Sequence, residues 1–201
     1  MNPTSRSHGR RALLRAALAA WPLAAFASPS ADAGAKARAY FGDTTLLAQD
    51  GRALRFYSDV LRDRVVLINF VFTGCGEACP LMTQKLLQAR GLLGPESAQV
   101  RFLSISVDPD NDSPQTMHAF AGKQGALVPE WLWLTGTKAN VDAVTKRLGA
   151  YTENRNNHLT GLILGNLRTD RWTRVQPNAT AAQIASEVRR IAELGPPAAA
   201  R

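Results

Sequence analysis

The chain has 201 residues, of which 45% are hydrophobic and 20% are charged. This length suits one domain with a substantial core, and the hydrophobic content excludes a wholly disordered chain. The formal net charge is +8 at pH 7, but no basic stripe with interleaved aromatic residues is present, so nucleic acid is not an expected partner.

The first 27 residues have the layout of a secretory signal peptide. Four arginines and no acidic residue accompany an apolar run over 16–27, which ends in the small-residue pattern Ala25-Phe26-Ala27. This layout is typical of a segment that is cleaved on export. We therefore expect the protein to reach a bacterial periplasm by the Sec or the twin-arginine route.

A retained membrane anchor is the alternative interpretation, and only then is the protein expected to associate with the inner membrane. The apolar run is shorter than the roughly 20 residues that a spanning helix needs. No cysteine follows the run, so a lipoprotein anchor is not expected. Residues 28–39 are rich in Ala without an apolar period and are predicted to form a linker, and 196–201 are predicted to form a disordered tail.

Strands and helices alternate through 40–195, the predicted folded domain. A hairpin around Asp50-Gly51 comes first, and the apolar run 65–72 is typical of a strand covered on both faces. Further strands are predicted at 100–107, 131–134, 159–164 and 171–175, and helices at 79–90, 114–123, 137–148 and 181–194, with Gly91 as the C-cap of the first. This order predicts the α/β class, with a central, mostly parallel mixed sheet flanked by helices after an N-terminal β-hairpin. By analogy, the closing hairpin and helix indicate a thioredoxin-like fold.

The two cysteines, Cys75 and Cys79, lie four residues apart where strand 65–72 gives way to a helix. A helix N-terminus stabilises anions, so we expect the pKa of both thiols to be lowered. The spacing is one residue wider than the CxxC of dithiol oxidoreductases, which suits a shared metal ion and leaves a disulfide open. A structural disulfide or two inert buried thiols is the plain alternative.

Two sulfur ligands leave a metal site incomplete. Soft thiolates select Cu(I) or zinc, and Cu(I) accepts three ligands. Of the three histidines, His8 lies in the signal segment and His118 on a predicted helix surface, whereas His158 opens the strand 159–164. In a thioredoxin-like sheet the start of that strand can face the cysteine loop. We therefore predict a copper site formed by Cys75, Cys79 and His158; zinc would need a fourth ligand that we cannot assign.

These residues resemble the Sco/SenC family of copper chaperones of cytochrome oxidase assembly, over about 41–194. The resemblance is carried by four segments: NFVFTGCGEACPLM at 69–82, LSISVDPD at 103–110, LTGT at 134–137, and His158. It implies a thioredoxin fold and binding of Cu(I) or Cu(II) by the residues that match Cys75, Cys79 and His158. It also implies delivery of copper to the CuA site in cytochrome c oxidase subunit II, and that the two cysteines can form a disulfide.

The chain departs from the family pattern in two places. Asn157 stands where the family often has Asp before the histidine, which removes a carboxylate that could orient the imidazole. A Gly165-Asn166 turn followed by Trp172 replaces the usual VDPxG turn. Asp108 ends a strand near the site and could be functional, but capping of the turn 108–111 is the preferred interpretation.

The leading hypothesis is a copper-binding metallochaperone. The alternative is a thiol–disulfide oxidoreductase acting on cysteines of a copper-accepting protein, with Cys75 and Cys79 as a redox dithiol and no need for His158. No proline lies between Pro129 and Pro177 to serve as the cis-proline of general thioredoxins, which argues against broad reductase activity. A peroxidase of the same fold would need a Thr-x-x-Cys signature, which is absent around Cys75.

Overall fold

The computed structural model describes residues 31–158 and 160–194. Helices and strands alternate along these ranges: α1 Ala31–Phe41, β1 Thr45–Ala48, β2 Ala53–Arg55, β3 Val65–Val71, α2 Ala78–Leu93, β4 Val100–Ser106, α3 Pro114–Lys123, β5 Trp131–Thr135, α4 Lys138–Arg147, β6 Leu162–Asn166, β7 Arg171–Val175 and α5 Ala181–Ala192. The predicted signal segment 1–27 and the predicted tail 196–201 lie outside the described residues.

The seven strands form one mixed sheet in the order β2-β1-β5-β4-β3-β6-β7. Strands β5, β4 and β3 run parallel at its centre, and the other four neighbouring pairs are antiparallel. The predicted α/β class with an N-terminal hairpin is confirmed, and the parallel part is confined to the three central strands.

Helices cover both faces of this sheet. Both faces of β3 are buried, which explains why its sequence shows almost no alternation of polar and apolar residues. Val65, Leu67 and Val71 pack in the core beneath α2, α3 and α5. Val66, Ile68 and Phe70 pack in the core on the α1 and α4 side. Every β3 residue is therefore buried, as expected for a strand between two helical layers.

No helix in the described part of the chain has the length and apolar character needed to cross a membrane.

The predicted linker is wrong from residue 31 onwards, because Ala31–Phe41 form helix α1. Its Ala-rich composition lacks an apolar period but has high intrinsic helix propensity. The helix is held at its C-terminal end, where Phe41 is buried and packs against Trp172, with the two ring centroids 5.1 Å apart. Tyr40 adds a hydrogen bond from its hydroxyl to the Arg147 carbonyl (2.9 Å).

Two further boundaries differ from the sequence prediction. Helix α2 continues past Gly91 and ends at Gly94, which has a φ of 57°; a positive φ favours glycine, and Gly91 is an interior helical residue. Strand β6 begins at Leu162 rather than 159. The preceding residues Arg155–Asn157 form a 3₁₀ turn capped by the Asn154 side chain, as Asn-rich segments favour.

The Gly165-Asn166 departure has a structural explanation. Gly165 lies directly opposite Trp172 in the β6–β7 pair, and a Cβ at Gly165 would lie 2.3 Å from Cζ3 of the Trp172 indole. Asn166 is buried, donates to the Ile191 carbonyl (2.9 Å) and accepts from the Arg168 N–H (3.0 Å). The glycine therefore makes room for the indole, and the asparagine closes the hairpin against α5.

We expect Gly165→Ala to destabilise the protein by about 1–3 kcal/mol, because the added methyl group displaces the Trp172 ring. Urea unfolding followed by circular dichroism measures this change. The matched control is Gly91→Ala on the exposed face of α2, where nothing lies within 4 Å of the new Cβ. This control should be stabilised by roughly 0.5–1 kcal/mol, and equal effects of the two substitutions would contradict the packing account.

Candidate metal centre

One edge of the sheet gathers the candidate residues. The parallel strands β3, β4 and β5 all end at this edge, and the loop that carries Cys75 follows β3. Strand β6 runs antiparallel to β3, with Ile163 paired to Ile68, so the start of β6 lies beside the end of β3. This pairing brings the segment that carries His158 next to the cysteine loop, as the sequence analysis expected.

The two cysteines lie together at the start of α2. Cys75 is half-buried in the loop and Cys79 is 3% exposed in the first helical turn. The Cys79 backbone N–H donates to the Cys75 sulfur at 3.3 Å, and both thiols are free. The helix begins at Ala78 without a side-chain cap, so its N-terminal N–H groups are available to a thiolate.

Opposing effects set the pKa of the two thiols. Burial by itself raises the pKa of Cys75, but hydrogen bonds from the Cys79 thiol and from the backbone N–H groups of Cys79, Glu77 and Ala78 outweigh it and lower the pKa. Burial raises the pKa of Cys79 to about 12, and its hydrogen bond to Cys75 adds to this rise. The expected lowering of the pKa is confirmed for Cys75 and wrong for Cys79, which keeps its proton at neutral pH.

A buried carboxylate that the sequence analysis did not identify supports the cysteine loop. Asp112 is 1% exposed and accepts hydrogen bonds from the Thr73 N–H (3.0 Å), the Thr73 hydroxyl (2.6 Å) and the Ser106 hydroxyl (2.6 Å). The Thr135 hydroxyl donates to the backbone carbonyl of Asp112 (2.5 Å). Asp112 therefore joins the ends of β3, β4 and β5, and no local sequence signal separates it from an exposed turn acid.

His158 follows the 3₁₀ turn rather than opening a strand. Its Nδ1 lies 2.6 Å from the Arg155 carbonyl oxygen; because a carbonyl only accepts, Nδ1 is assigned the proton and Nε2 the free lone pair. The ring edge contacts Phe72 with centroids 5.7 Å apart. The Arg155 backbone carbonyl thus orients the imidazole.

A cavity of about 200 Å³ is lined by two of the three predicted ligands, Cys79 and His158. Cys79, Met82 and His158 line it together with Asn69, whose side chain is 2% exposed. The Asn69 oxygen accepts from the Ser104 hydroxyl (2.8 Å), whereas its Nδ2 has no hydrogen-bond partner. The sequence signal for Asn69 was available, since it is the one amide in the apolar run 65–72.

The three predicted ligands are not assembled into a closed site. Among residues 31–158 and 160–194, no three Cys, His, Asp or Glu side chains are close enough together to hold a metal ion. The cysteines are together and His158 borders the same cavity as Cys79, so ligation by all three stays a prediction. His118 lies exposed on α3 and does not line this cavity.

The preferred role of Asp108 in turn capping is confirmed. Its backbone carbonyl accepts from the N–H groups of Asn111 (3.0 Å) and Asp112 (2.9 Å). Its carboxylate accepts from the Asn111 amide at 3.0 and 3.1 Å. Asp108 also has an ion pair with Arg155 (2.5 Å) that sequence reasoning did not anticipate.

The fold and the dithiol at the start of α2 define a thioredoxin-like protein. The model of the SCO1/SenC family matches residues 32–193, and the chain belongs to this family. The SCO1 protein homolog of Bacillus subtilis is 37% identical over 92 residues, which are 46% of this chain and 47% of that protein. The chain thus spans about half the length of the curated relatives it matches.

Solved structures share the fold. Bradyrhizobium japonicum ScoI with copper bound superposes with a TM-score of 0.62 at 24% identity, over 75% of this chain and 98% of that one. A SCO1/SenC family lipoprotein from Bacillus anthracis superposes with a TM-score of 0.63 at 26% identity, over 74% of this chain and 92% of that one. BsSco, a Sco family cytochrome c oxidase assembly protein with a disulfide switch, superposes with a TM-score of 0.63 at 25% identity, over 77% of this chain and 94% of that one.

We predict that Cys75 is alkylated by iodoacetamide at lower pH than an ordinary thiol, because the alkylation rate follows the thiolate fraction, which rises with pH. In the Cys79→Ala variant, the midpoint should move to higher pH, because the thiolate loses the Cys79 thiol as a donor. Mass spectrometry of the product at each pH gives both midpoints.

The matched control is Cys75→Ala, which leaves Cys79 as the one thiol. Its alkylation should stay slow through neutral pH, because burial, the largest cause of the raised pKa of Cys79, remains in this variant. Alkylation of Cys79 as fast as that of Cys75 would contradict the assignment of the two roles.

Proposed function

We propose that the protein binds copper through Cys75, Cys79 and His158 and passes it to a cuproprotein acceptor. The observation that carries the proposal is that Cys79 and His158 line one cavity, beside the turn that stabilises the Cys75 thiolate. Membership of the SCO1/SenC family and the copper-bound ScoI relative support it.

The donor set fits copper as cargo. Two sulfurs and one imidazole are the ligands that Cu(I) accepts, and the same set can hold Cu(II). Asn69 adds a buried amide N–H without a partner on the wall of the same cavity. A buried donor without a hydrogen-bond partner costs free energy. A polar group that enters the cavity together with the ion would accept this hydrogen bond.

Binding and release follow from the thiol chemistry. The Cys75 thiolate is the first ligand. Cys79, whose pKa is raised by burial, then loses its proton as it binds the ion. Because the ion displaces that proton, the apparent copper affinity rises with pH. Cys75 is half-buried and Leu81 nearby is 69% exposed, so an acceptor can reach the ion from this side and exchange ligands one at a time.

We propose the CuA site of cytochrome c oxidase subunit II as the destination of the copper. BsSco belongs to a family of cytochrome c oxidase assembly proteins, which supports this choice. Export through the segment 1–27 would bring the protein to the periplasm, with the domain beginning at helix α1, near residue 31. The Bacillus anthracis relative is a lipoprotein, which supports a location at or beyond the membrane.

We expect the reduced protein to bind one Cu(I), and Cys75→Ala, Cys79→Ala and His158→Ala each to weaken binding by at least about tenfold, because each removes one ligand. Affinity should rise between pH 6 and pH 8. Competition with a chromophoric Cu(I) chelator measures both effects.

His118→Ala is the matched control, because it removes an exposed imidazole from α3 without touching the cavity. Its copper affinity should equal that of the wild type. Unchanged affinity in both His158→Ala and Cys75→Ala would refute the copper site.

A thiol–disulfide oxidoreductase is the second candidate function, and the unequal thiols favour it. Cys75 is the accessible thiol with a lowered pKa, and Cys79 is the buried thiol that keeps its proton. The Cys75 thiolate would attack a partner disulfide, and Cys79 would then displace the partner's thiol, leaving a Cys75–Cys79 disulfide and a reduced partner.

The Cys79→Ser variant tests this second function. It should accumulate a mixed disulfide between Cys75 and an oxidised CuA domain of subunit II, visible on a non-reducing gel, and His158→Ala should not alter the amount. Absence of the mixed disulfide would argue for copper transfer alone.

A further inference from the structure

The Arg155 side chain ties the histidine segment, residues 153–158, to the cysteine side of the sheet. The Arg155 guanidinium forms an ion pair with the Asp108 carboxylate (2.5 Å) and lies over the Phe72 ring, 5.6 Å from its centroid. The Arg155 carbonyl is also the partner of His158 Nδ1. Arg155 therefore fixes the position of the segment with its side chain and the orientation of the imidazole with its backbone.

The Asp108 end of this contact leads back to the cysteine loop. The Asp108 N–H donates to the Ser106 hydroxyl (3.0 Å), which donates to the Asp112 carboxylate (2.6 Å). Asp112 in turn holds Thr73, two residues before Cys75. A continuous set of contacts thus joins the two halves of the candidate site, which are about 80 residues apart in sequence.

The environment strengthens the ion pair. The Asp108 side chain is 14% exposed and that of Arg155 46%, and Phe72 beneath the guanidinium is buried. A charge pair that is partly shielded from water and stacked on an aromatic ring is stronger than an open surface pair. Residues 153–157 are all exposed, and the Arg155 side chain anchors them to Asp108 and Phe72, which follow β4 and β3.

We infer that Arg155 is a positioning residue for copper binding: through its ion pair with Asp108, it keeps His158 at the edge of the cysteine cavity. The inference rests on the proposed copper function and adds a pair of residues to it.

The test is a double-mutant cycle on the full chain with Arg155→Gln, Asp108→Asn and the double variant. Each single variant should weaken Cu(I) binding by roughly three- to tenfold, and the double variant should be no weaker than either, because one contact can be lost only once. Arg155→Lys should restore part of the affinity, since it keeps the charge but not the planar fork.

Arg171→Gln is the matched control, because it breaks an exposed ion pair with Glu193 (3.0 Å) outside the site. Its copper affinity should be that of the wild type, and the melting temperatures of all variants without copper should agree within about 2 °C. Wild-type affinity in Arg155→Gln, or an equal loss in Arg171→Gln, would overturn the inference.

A copper-free readout separates this inference from the proposed function. The nuclear Overhauser effect between the Phe72 and His158 rings should be present in the reduced wild type and lost in Arg155→Gln. If the wild type binds no copper, the proposed function fails and this signal still decides whether Arg155 holds the segment. Persistence of the signal in Arg155→Gln would overturn the positioning role.

Discussion

The antiparallel pairing of β6 with β3 brings the two halves of the site together. Because β6 runs against β3, with Ile163 opposite Ile68, the residues before β6 lie at the carboxyl end of β3, where the cysteine loop begins. Ligands in α/β proteins bind at such strand ends. A parallel β6 would place His158 at the opposite edge of the sheet, and neither copper binding by three ligands nor the Arg155 contact would be possible.

Hydrogen bonds and burial then give the two thiols different roles. The start of α2 stabilises the Cys75 thiolate, while the same turn buries Cys79 and raises its pKa to about 12. Asp112 fixes the loop by accepting three hydrogen bonds beneath it. If the site binds copper as we propose, one thiolate and one retained proton would let it take up the ion and release it as protons exchange.

Local chemistry in the sequence was enough to predict most of the fold. The apolar run of β3, the Ser113 cap of α3 and the Thr180 capping box of α5 each have a local physical cause, and all three are present in the structure. The Ala-rich helix α1 was missed because Phe41 and Tyr40, which hold it, contact residues far along the chain, Trp172 and Arg147.

The site was predictable only where it depends on local sequence. The sequence placed Cys75 and Cys79 at a helix start, but the opposite shifts of their pKa values depend on burial, and the roles of Asp112 and Arg155 depend on contacts between distant segments.

X-ray absorption at the copper edge of the Cu(I)-loaded protein tests the central claim most directly. We expect two sulfur ligands and one imidazole nitrogen, with the nitrogen lost in His158→Ala; a sulfur-only environment that is identical in both proteins would contradict the account.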